Sequence, residues 1–145
     1  MRTAALKTLA AVAIALALAG CADLFGPPYY EDITNNIVAA DIGVTSVDMT
    51  ETTDIERRCI VIGIALTMEA DTISARQLEA VLRLIQPELG SVRPCHLGLG
   101  AVTSEGEIID IEPAATELGL HPDDYTRNAA GFTFTEDVLN RDFGN

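Results

Sequence analysis

The sequence predicts an α+β fold, a small two-layer sandwich, and three features carry that prediction. Cys59–Met68 alternates as a strand, with Ile60, Ile62, Ile64, Leu66 and Met68 on one face and Cys59, Val61, Gly63, Ala65 and Thr67 on the other. Leu78, Val81, Leu82 and Ile85 recur at the spacing of an amphipathic helix. From Cys59 the elements read β-α-β-β-α-β and then a terminal helix, the order of a ferredoxin-like split βαβ fold.

Residues 1–20 stand apart from that domain. Arg2 and Lys7 form a basic start, Leu9–Leu18 is an apolar run, and Leu18-Ala19-Gly20-Cys21 closes it. This is the layout of a secretory signal. The run is far short of the roughly 20 residues that span a bilayer. A plain secretory signal, with Cys21 incidental, is the simpler alternative. The last four residues resemble the lipobox of bacterial lipoproteins. That resemblance implies cleavage before Cys21, diacylglycerol on its thiol and a third acyl chain on the new amino terminus. It covers residues 1–21 and says how the chain is held, not what it does. Ala22 follows the cysteine, rather than the Asp that resembles an inner-membrane retention signal, so the expected address is the periplasmic side of the bacterial outer membrane.

Cleavage would leave 125 residues, one domain's worth of chain. Arg2 and Lys7 leave with the signal, so seven Arg face 22 acids, a formal charge of −15 with no Lys. Such a surface repels nucleic acids and anionic lipid head groups. Its simplest meaning is solubility; an acidic docking face is the sharper one.

Residues 21–36 read as an acylated tether and 37–145 as a single periplasmic domain. Pro27-Pro28 disfavours helix, and fifteen extended residues reach at most about 50 Å. Phe25, Tyr29 and Tyr30 are apolar for a spacer. They either pack on their own domain or touch a protein partner in the cell envelope, where aromatics carry much of the energy. A short strand is expected over 43–49, then a polar loop at Thr50–Asp54.

After the Cys59–Met68 strand, Ser74 and Gln77 form a capping box. The helix they open is expected to stop before Pro87. Strands at 96–102 and 107–111 flank a turn at Ser104-Glu105-Gly106. A short helical piece at 114–118, a second helix from Pro122 to Gly131, a strand at Phe132–Phe134 and a helix capped by Thr135 complete the chain.

With Cys21 acylated, Cys59 and Cys95 remain, and outside the cytoplasm such a pair reads as a disulfide. A redox or metal site is the alternative, but no C-x-x-C is present and the adjacent Cys95-His96 is a poor zinc pair. A bridge needs Cα atoms within about 7 Å. Ferredoxin-like order would put one strand between the two strand starts, about 10 Å apart. The bridge and the topology therefore constrain each other.

No catalytic set is legible. Ser46, Ser74, Ser91 and Ser104 lie outside any G-x-S-x-G pattern. His96 sits beside the cysteine pair and His121 at a helix start. Glu105, Glu107, Asp110 and Glu112 cluster on one hairpin without an obvious cleft, and no calcium loop occurs. Gly98-Leu99-Gly100 lacks the rest of a phosphate loop. The expectation is a non-enzymatic binding or assembly module with no cofactor and no metal. A small hydrolase using acidic residues and an envelope sensor are the alternatives.

Overall fold

The computed structural model describes residues 27–89, 92–128 and 131–144. Cys21, Phe25 and the signal-like stretch 1–20 lie outside the described residues. The fold is α+β, with a mixed sheet of six strands and a layer of helices. No helix among the described residues is long and apolar enough to cross a membrane.

Helix α1, Pro28–Ala39, corrects the expected tether. Pro28 sits in the first turn, where its missing N–H would have had no partner and its fixed φ suits a helix. Ile33 and Ile37, one turn apart, are fully buried. The domain therefore begins at the prolines and not at residue 37.

Strand β1, Val44–Asp54, is longer than expected, because Thr50–Asp54 continues the strand. It pairs antiparallel with β2, Cys59–Met68, from Val44↔Met68 to Asp54↔Cys59. β1 is an edge strand. Its polar residues need no apolar partner on the solvent side, so pairing overrides the loop-like composition. Asp54 Oδ1 accepts the N–H groups of Glu56 and Arg57, both at 3.0 Å, and shapes the connecting turn.

The capping box at the start of helix α2, Ala75–Leu89, is present. Ser74 N–H donates to Gln77 Oε1 at 2.9 Å, and Gln77 N–H donates to Ser74 Oγ at 3.2 Å. The helix runs through Pro87 instead of stopping before it. Pro87 lies in the last turn, where few helical bonds follow it, and the extension buries Leu89.

Strand β3, His96–Thr103, lies parallel to β2 and directly beside it, from Val61↔His96 to Met68↔Thr103. The ferredoxin-like order, which separates these two strands, is therefore corrected. The five long-path strands run β1-β2-β3-β6-β5, with the two-residue β4, Ile108–Ile109, against β3. Adjacency is what makes the bridge possible. Cys59 and Cys95 form a disulfide with Cα atoms 5.9 Å apart, and Cys95 N–H donates to the Ile60 carbonyl at 3.0 Å. Closing a loop of this size contributes roughly 3–4 kcal/mol in the chain-entropy account.

Helix α3, Glu112–Glu117, ends at Gly119, whose φ of +87° turns the chain back. The helix expected from Pro122 is corrected: it shrinks to one 3₁₀ turn, Pro122–Asp124, and strand β5, Tyr125–Asn128, follows. Tyr125 stacks on Phe132 of β6, Gly131–Thr135, with ring centroids 4.1 Å apart. Helix α4, Glu136–Phe143, follows; Thr135 occupies the cap position without a side-chain cap bond. The core lies between the helices and one sheet face, where Ile62, Leu66, Leu97 and Phe134 are completely buried.

Candidate docking site

A groove of about 570 Å³ opens between α1 and β1. The helix contributes Tyr30, Glu31, Thr34 and Asn35, and the strand contributes Val47, Asp48 and Met49. The positions 30, 31, 34 and 35 share one helical face. Ile33 and Ile37 fix that face by anchoring the other side of α1 in the core. Val47 and Met49 share the core-facing parity of β1 and pack partly against the core. The result is an apolar floor with a carboxylate, Glu31 or Asp48, at either side.

Tyr29 and Tyr30, expected as partner contacts, play different parts. Tyr29 packs against the core, and its hydroxyl donates to the Glu51 carboxylate of β1. Burial first, and then the bond to Glu51, raise its pKa above the ordinary tyrosine value. That ring and bond lock α1 to the sheet. Tyr30 stands edge-on to Tyr29, centroids 4.9 Å apart, and lines the groove. Its hydroxyl oxygen is buried and meets no hydrogen-bond geometry with the described residues. Burial raises its pKa as well.

The other candidate residues sit in local structure. On the β3–α3 side, Arg127 pairs with Asp110 at 3.6 Å and with Glu112. His121 and Asp124 close a small capping box: Asp123 N–H donates to His121 Nδ1 at 3.3 Å, and His121 N–H donates to Asp124 Oδ2 at 2.8 Å. Arg141 donates to Asp124 Oδ1 at 2.9 Å, and this bond chiefly holds the Asp124 carboxyl below its usual pKa. Arg57 donates to His96 Nε2 at 2.6 Å beside the disulfide. Among the described residues, no three His, Cys, Asp or Glu side chains group as metal ligands.

The groove is hidden in the sequence because the residues of α1, behind Pro27-Pro28, resemble a tether. The available signal was Ile33 and Ile37 at i, i+4 behind a Pro at N1. Comparison of the chain with protein families, with curated proteins and with solved structures returned no match.

Proposed function

We propose that this protein is a lipid-anchored binding or assembly module of a bacterial envelope complex, and that it takes a segment of a partner protein into the α1–β1 groove. The groove itself carries the reading. Tyr30, Val47 and Met49 suit apolar side chains, while Glu31 and Asp48 favour a partner segment that also carries positive charge.

The anchor half rests on the resemblance of Leu18–Cys21 to a lipobox. Acylation of Cys21 would leave six residues, 22–27, before α1. Six residues reach at most about 20 Å. On this reading the domain is held within about 20 Å of the bilayer, where a fifteen-residue spacer would have let it stand off by up to about 50 Å, and the groove lies at the anchored end. The outer membrane, periplasmic side, remains the proposed address because Ala22 follows Cys21.

Site-specific photocrosslinking in cells tests the groove. A crosslinker at Asn35, exposed in the groove, should capture one discrete partner, and one at exposed Glu117 on α3 should not. Thr34→Arg should abolish the Asn35 crosslink without changing the melting temperature. Equal capture from both positions would defeat the groove reading. Mass spectrometry of the amino terminus tests the anchor separately.

A further inference from the structure

The sheet has a second face that no described helix covers. Each fully buried residue of β2, β3 and β6 has the parity of the helix-covered side, such as Ile62, Leu97 and Phe134. On the other side the register sets residues in rows across the strands. Thr50, Gly63, Gly98 and Thr133 form one row. Asp48, Ala65 and Gly100 form the next. These rows floor a shallow apolar trough of about 240 Å³.

The two glycines at its centre differ. A Cβ on Gly63 would lie 2.7 Å from Thr50 Oγ1, so a side chain there requires Thr50 to shift. A Cβ on Gly98 would meet nothing closer than 3.8 Å. The packing of the described residues does not account for glycine at 98.

Charge is distributed just as unevenly. The chain holds 22 acids against nine basic residues. On the open face, β2, β3 and β6 present no acid at all. The acids stand at its margins: Asp48 and Asp54 on the edge strand β1, Asp54 being engaged in its turn, and Asp123 and Asp124 beside His96, Thr126 and Thr133.

We propose that this face is the interface of a homodimer, a second copy packing sheet on sheet across the Gly63–Gly98 row. Two observations select a second copy. A chain this acidic repels its own copies, and the repulsion is weakest where the acids are missing. A basic partner would instead gain from the acidic surfaces. Area agrees as well. At about 3.3 Å per residue and 4.8 Å between strands, the five strands present about 600 Å² in projection. Two copies then bury about 1,200 Å² or more, the lower range of stable interfaces.

Sedimentation equilibrium of the full chain, in detergent matched by solvent density, tests this. The wild type should dimerise with a dissociation constant of about 1–50 µM, and Gly98→Arg should weaken it by at least about 30-fold. Gly98→Ala, which adds one methyl group, should keep the wild-type melting temperature or exceed it. Should Gly98→Arg fail to fold, Ala65→Arg, at an exposed position in the next row, reads the same interface. A wild type monomeric up to about 200 µM, far above that range, overturns the proposal. So does an arginine variant that folds and dimerises like the wild type. Asp48 lines both the trough and the α1–β1 groove, whereas Gly98 lines the trough and not the groove, so Gly98→Arg reads the interface without altering the groove's lining.

Discussion

The two faces of β2 come from the same ten residues in alternation, and they meet different surroundings. On one side Ile62, Leu66 and Met68 are completely buried beneath the helices. On the other, Val61, Gly63 and Thr67 are half-buried and Ala65 is exposed. Both faces are largely apolar, so apolar character alone does not decide which face receives helices. Size does. Large side chains remove more area from water and interdigitate with the stripe of α2, whereas Gly and Ala have little to contribute. The small face is left for something that comes close without needing much burial.

The largest test of this contrast is truncation on the covered face. Phe134→Ala should lower unfolding free energy by about 4 kcal/mol, through lost burial and the cavity left behind. Urea denaturation reads it as a fall in midpoint. Ala65→Ser, on the open face, should stay within about 0.5 kcal/mol. Similar losses at both positions would erase the distinction between the faces.

A somewhat smaller effect belongs to the bridge that ties the starts of β2 and β3. Replacing Cys59 and Cys95 together by Ser should cost about 3 kcal/mol, with the fold retained at low temperature. Free thiols in the non-reduced wild type would remove the bridge from the account.

The smallest effect sharpens the contrast most. Gly98→Ala should leave stability unchanged or raise it by about 0.5 kcal/mol, because alanine restricts the unfolded chain more and its methyl group has room. The measurement belongs at sub-micromolar protein, where any dimer is dissociated. A loss above about 1 kcal/mol, the scale of a strained site, would mean that the small face is already covered within one chain.

Much of the fold was legible for local reasons. The alternation of Cys59–Met68, the stripe and capping box of α2, and the Phe132–Phe134 strand each appear within a short window. The disulfide was legible from a different kind of reasoning, the count of cysteines left on the expectation that the chain is exported and Cys21 acylated. Of the groove's lining the sequence singled out Tyr30 alone, while Tyr29 bonds to Glu51 and ties α1 to the sheet. Two apolar residues, Ile33 and Ile37, are too few to announce a helix behind Pro27-Pro28. Thr50–Asp54 reads as loop until β2 pairs with it. Tyr125 reads as part of a helix until Phe132 stacks on it.

By itself, then, the sequence determined the elements whose periodicity lies in their own residues, the α+β class they build, and the chemistry that joins Cys59 to Cys95. Only the tertiary structure decided that β3 lies beside β2 and that α1 belongs to the domain. Tertiary structure also decided that the described helices leave the Gly63–Gly98 side of the sheet uncovered. These are non-local choices. Strand neighbours are selected by total burial and register over the whole sheet, and a residue pattern of period two is satisfied equally well by either neighbour.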